Sequence, residues 1–133
     1  MANDEIELKQ SFSATLENVD RAAEKIQQFL IKTGIKDRSF NIILGMREAL
    51  INAVTHGNGS DSKKKVTFRL QMEGHNLIME VEDEGRGFDW NACLMKPLPS
   101  REESGRGLAI MKRTFTSIEF NEKGNRLILE KMI

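Results

Sequence analysis

At 133 residues the chain has the length of one compact domain, 1–133, and its 39% hydrophobic content suffices for an ordinary core. Its 20 lysines and arginines balance 20 aspartates and glutamates, so no net charge draws it to nucleic acid or to an anionic membrane. One cysteine, Cys93, excludes an internal disulfide, the acidic Met1 to Glu7 stretch excludes a secretory leader, and no run approaches the roughly 18 apolar residues of a membrane span, so a soluble cytoplasmic chain is expected.

Ile6, Leu8 and Phe12 predict a first strand with alternating faces. Leu16, Val19, Ala23, Ile26 and Leu30 then recur at three- and four-residue steps, the stripe of an amphipathic helix that Gly34 stops. Asp37 is placed to cap a second helix. Phe40, Ile43, Leu44, Leu50, Ile51 and Val54 give it an apolar stripe, widened by Ile42, Met46, Ala49 and Ala53. It ends near Gly57-Asn58-Gly59-Ser60. Alternation over Val66 to Met72 and over Leu77 to Val81, joined at Gly74-His75-Asn76, predicts a hairpin. Residues 90–104, which hold Pro97 and Pro99, read as a long loop. Gly105-Arg106-Gly107 then opens a third helix, and two strands around Ile118 and Leu127 close the chain across a Lys123-Gly124-Asn125 turn. Together these elements predict an α+β, two-layer sandwich with a mostly antiparallel sheet and three helices on one face.

Three segments carry polarity where it costs free energy. Glu48, Asn52 and His56 step by four along the largely apolar second helix, with Gly45 and Thr55 beside them. A carboxylate on such a face either pairs with a cation, Arg47 or a distant lysine, or faces a wet polar site. Asp83 ends a strand on its inner face, followed by Gly85 and Gly87. Its carboxylate can accept a hydrogen bond from an exocyclic amine such as that of adenine, and the glycines permit close backbone approach. Ser104-Gly105-Arg106-Gly107-Leu108 opens a helix, where free N–H groups attract phosphate. Neither a P-loop nor a parallel βαβ dinucleotide fingerprint is present.

In this order the three segments resemble the boxes of the bacterial anti-sigma-factor serine/threonine kinases, within the Bergerat-fold (GHKL) ATP-binding superfamily. Glu48-Ala49-Leu50-Ile51-Asn52-Ala53-Val54-Thr55-His56-Gly57 is similar to their N box, Asp83-Glu84-Gly85-Arg86-Gly87-Phe88-Asp89 to their D-x-G-x-G-F-D box, and Ser104 to Leu108 to their second glycine box. The resemblance implies Glu48 as general base, Asn52 as ligand to Mg²⁺, and Asp83 with Gly85, Gly87 and Phe88 at the adenine. It implies that His56 and the Ser104, Gly105, Arg106, Gly107 and Leu108 segment contact the nucleotide, with residues 90–104 as an ATP lid. It further implies a homodimer, an anti-anti-sigma (STAS-domain) substrate and a sigma factor as partner. Many members carry arginine where this chain has Glu103, which leaves Arg101 or Arg106 to serve the γ-phosphate. Two other readings stay open: a nucleotide-binding partner switch that transfers nothing, and a histidine-kinase ATP-binding domain acting in trans.

Overall fold

The computed structural model describes residues 6–35, 39–59, 61–86 and 103–133. Five strands, β1 (Ile6–Ser13), β2 (Lys65–Glu73), β3 (Asn76–Asp83), β4 (Ser117–Phe120) and β5 (Arg126–Met132), form one sheet in the order β1-β2-β3-β5-β4. Every pairing is antiparallel, so the chain has the α+β architecture that its sequence predicts. The period of two fixes which face is buried. Phe68 and Leu70 of β2, Leu77 and Met79 of β3 and Leu129 of β5 are fully buried on one face. The other face carries cross-strand ion pairs, Arg69–Glu7 at 3.2 Å and Arg126–Glu80 at 3.1 Å. Both are substantially exposed and add little stability.

Three helices cover the buried face: α1 (Leu16–Lys32), α2 (Ser39–Asn52) and α3 (Glu103–Thr114). Thr15 caps α1, its hydroxyl accepting from the Asn18 N–H at 3.2 Å, and Gly34 takes a φ of 83° beyond the last turn. The buried stripe of α1 is Val19, Ala22, Ile26, Phe29 and Leu30, while Leu16, expected within it, is exposed. In α2 the core positions are Ile42, Met46, Ala49, Leu50, Ala53 and Val54. Phe40, predicted on the buried stripe, is 75% exposed. A helix apolar nearly all round leaves its phase to its neighbours, and α1 and α3 turn the Ile42–Met46–Ala49 edge inward.

Gly45 has a packing reason. A Cβ there would stand 2.7 Å from the Phe115 ring, so this glycine admits the aromatic side chain that follows α3 rather than lining a polar floor. α3 begins at Glu103, two residues before the expected Gly105. Glycine costs about 1 kcal/mol in a helix interior, which is why propensity alone starts the helix later. No helix among the described residues is long and apolar enough to cross a membrane.

Candidate functional site

α2 does not end as an ordinary helix. From Ala53 to Gly57 it widens into a π turn, closed by the Asn58 N–H donating to the Ala53 carbonyl at 2.9 Å. The Thr55 hydroxyl donates back to the Ile51 carbonyl at 2.8 Å. Such turns are rare and collect at functional sites. Asn52, the last residue before the turn, is 5% exposed, and its Nδ2 has no hydrogen-bond partner among the described residues. An unmet buried donor costs about 1–3 kcal/mol, so its partner comes from outside the described side chains, as water or ligand. Glu48 lies one turn earlier and is half-buried. Arg47, one of the cations considered for it, reaches Asp20 of α1 at 2.7 Å. His56 ends exposed, so the polar stripe runs from half-buried to buried and out to solvent.

Asp83 sits at the end of β3, the central strand, and is 7% exposed. Its Oδ1 accepts from the Gly85 N–H at 2.8 Å. Its own N–H donates to the Asn125 carbonyl at 2.9 Å, and Asn125 Nδ2 donates to its carbonyl at 3.3 Å. Burial pushes the Asp83 carboxyl above the ordinary aspartate range. The Gly85 hydrogen bond opposes that rise, Glu82 adds to it, and Lys123 and Lys64 pull weakly downward.

Two glycines make this arrangement possible. A Cβ on Gly57 would overlap the Asp83 carboxylate, and one on Gly85 would overlap the Gly57 carbonyl. The end of the π turn and the turn after β3 therefore touch backbone to backbone, a closeness only glycine permits.

Asn52 and Asp83 line one small cavity of about 20 Å³, partly open to solvent. Ala53, Val81 and Met111 supply apolar wall and Asn125 a further polar edge. Apolar wall with a few convergent polar groups is the lining composition of small-molecule sites. Of the residues singled out in the sequence, the structure brings Asn52, Asp83 and Gly85 together. Glu48 does not line the cavity, though its neighbour Ala49 does, and His56 is exposed. Ser104, Gly105, Arg106, Gly107 and Leu108 have helical backbone at the start of α3, and their side chains lie outside the described residues. Gly87, Phe88, Arg101, Asp37 and most of the expected lid also lie outside them. Sequence reasoning missed Asn58, Asn125 and Met111. The two asparagines sit in Gly-Asn-Gly and Lys-Gly-Asn segments, whose only sequence signal is a turn.

Residues 12–131 match the family described as histidine kinase-like ATPase domain, and the chain belongs to that family. More particularly, it is similar to the anti-sigma F factor of Clostridium kluyveri, with 30% identity over an alignment of 103 residues and coverage of 72% of each protein. It is also 29% identical over 107 residues to the sensor protein VraS of Staphylococcus aureus, a match that spans 80% of this chain and 28% of VraS. In fold it is similar to the histidine kinase domain of the Erythrobacter litoralis EL346 blue-light activated histidine kinase. The TM-score is 0.51 at 18% identity, covering 84% of this chain and 58% of that one. Membership supports a kinase or ATPase activity.

Proposed function

We propose that the chain is a single ATP-binding kinase domain that binds ATP with Mg²⁺ and transfers the γ-phosphate to a serine or threonine of a protein partner. The observation that carries this reading is the shared cavity, lined both by buried Asn52, whose Nδ2 has no partner among the described residues, and by Asp83. Asp83 Oδ2 accepts the adenine amine while Oδ1 stays on the Gly85 N–H. Asn52 presents its Oδ1 to the metal and its Nδ2 to a phosphate oxygen. Among the described residues no cluster of three His, Cys, Asp or Glu side chains could hold a metal alone. Mg²⁺ takes one or two protein ligands and fills its shell with phosphate and water, so a single asparagine oxygen is enough of a protein ligand. The ion supplies the positive charge that phosphoryl transfer needs on the phosphate oxygens. Glu48, one turn from Asn52, accepts the proton of the attacking hydroxyl at its carboxylate. The first turn of α3, with Ser104 and Gly105, contributes amides to the phosphates, Arg106 a cation, and Gly107 and Leu108 close contact.

Similarity to an anti-sigma F factor supports a partner-switching role. The substrate is then a STAS-domain anti-anti-sigma protein, the sequestered partner a sigma factor, the active form a homodimer and the location cytoplasmic. The test is labelled ATP with a STAS-domain partner. Acid-stable label on the partner, abolished in Glu48→Ala with nucleotide binding intact, is expected. Binding without transfer would leave the switch-module reading, which Glu103 in place of the family's arginine favours. Acid-labile label would favour the histidine-kinase reading, which is in keeping with the histidine kinase-like family.

A further inference from the structure

Asn58 is 2% exposed and lies beside the cavity without lining it. Both ends of its side-chain amide are hydrogen-bonded. Oδ1 accepts from the Glu84 N–H at 2.9 Å, and Nδ2 donates to the Lys65 carbonyl at 3.0 Å. Its backbone N–H closes the π turn on Ala53 at 2.9 Å. One residue thus joins the end of α2, the start of β2 and the end of β3. Lys65 returns the tie, its N–H donating to Glu84 Oε1 at 2.5 Å.

The pairing of β2 with β3 ends at Val66 opposite Asp83, so Glu84 is the first residue beyond that ladder. Asn58 supplies its N–H with the acceptor the sheet does not. Fixing Glu84 fixes the direction in which the chain leaves β3, and with it the Gly85 N–H that holds Asp83 Oδ1 at 2.8 Å. Gly57, adjacent to Asn58, closes the same junction against Asp83 and Gly85.

We infer that Asn58 is a positioning residue for base selectivity: through Glu84 and Gly85 it aims the Asp83 carboxylate at the exocyclic amine of adenine. The inference rests on the reading of Asp83 as the adenine acceptor. A carboxylate so placed favours a 6-amino purine and repels the 6-oxo group of guanine. Released from Asn58, it would lose that aim, and selectivity would fall with it.

The experiment is titration of the full chain with Mg-ATP and with Mg-GTP, in wild type, Asn58→Ala and Asn58→Asp, well below each melting temperature. Wild type should prefer ATP. Asn58→Ala should lose ATP affinity about tenfold with GTP affinity nearly unchanged, a loss of the size of one hydrogen bond to a charged group. Asn58→Asp keeps an acceptor for the Glu84 N–H and should retain the ATP/GTP ratio to within about threefold, even as the melting temperature drops. Should the alanine variant not fold, Asn58→Ser, whose hydroxyl is too short to hold both partners, is read in its place. A wild-type preference undiminished in Asn58→Ala or Asn58→Ser, with only stability lost, overturns the positioning role alone. A wild type with no preference for ATP overturns both this role and the reading of Asp83 beneath it.

Discussion

Asn52 and Asp83 are buried polar side chains that the fold does not need in their present form. Asn52 Nδ2 is unmet among the described residues, and the side chain borders an open cavity, so its truncation creates no sealed void. Asn52→Ala should therefore change unfolding free energy by no more than about 1 kcal/mol while weakening Mg-ATP binding about tenfold or more. Denaturant melts and calorimetry on the same variant separate the two effects. Asp83 makes a sharper case. Its folded pKa is raised above the ordinary 3.8, chiefly by burial, so the folded chain holds that proton more tightly than the unfolded chain. The stability linked to that proton is fully present below the unfolded value and is lost as pH rises through the folded one. At neutral pH the charge is thus a net cost. Asp83→Asn keeps an Oδ1 for the Gly85 N–H and should match or exceed wild-type stability at pH 7, with the advantage vanishing near pH 3–4. The same variant should bind ATP more weakly. A variant less stable than wild type at pH 7 would make the Asp83 charge a structural requirement.

At the scale of elements, the junction between the π turn and the end of β3 is where space is shortest. Gly85→Ala places a Cβ against the Gly57 carbonyl, which is backbone and has no rotamer to yield. A cost of about 1–3 kcal/mol or more is expected, with loss of ATP binding as Asp83 is displaced. Gly45→Ala meets the far end of the Phe115 ring instead, and gains up to about 1 kcal/mol of helix propensity. Its net cost should be the smaller of the two, and thermal melts of the pair would rank them. The same contrast explains what the sequence made legible. Strands were readable because one face is buried, so Val66, Phe68, Leu70, Leu77, Met79 and Val81 alternate without ambiguity. The phase of α2 was not, since Phe40 and Ile42 are equally apolar and only packing chooses between them. The π turn and the start of α3 at Glu103 depend on long-range contacts, for which local propensity carries no signal.

Across the whole molecule, Asn52, Asp83 and Asn125 come from three separated segments, and the central position of β3 gathers them. Ordered motifs disclosed the first two. Asn125 escaped notice because its work is backbone support for Asp83, and a turn asparagine reads as a turn. A ligand that binds only the folded chain stabilises it by mass action, by about 2.7 kcal/mol at a hundredfold excess over its dissociation constant. Mg-ATP should therefore raise the melting temperature, and in Asn52→Ala the rise should largely disappear. Calorimetric titration of the purified chain with ATP, once with Mg²⁺ and once with chelator, bears on the account most directly. The expected result is saturable uptake that weakens strongly without Mg²⁺ and in Asn52→Ala. Absence of adenine-nucleotide uptake with Mg²⁺ supplied, or uptake indifferent to both the ion and Asn52, would contradict it.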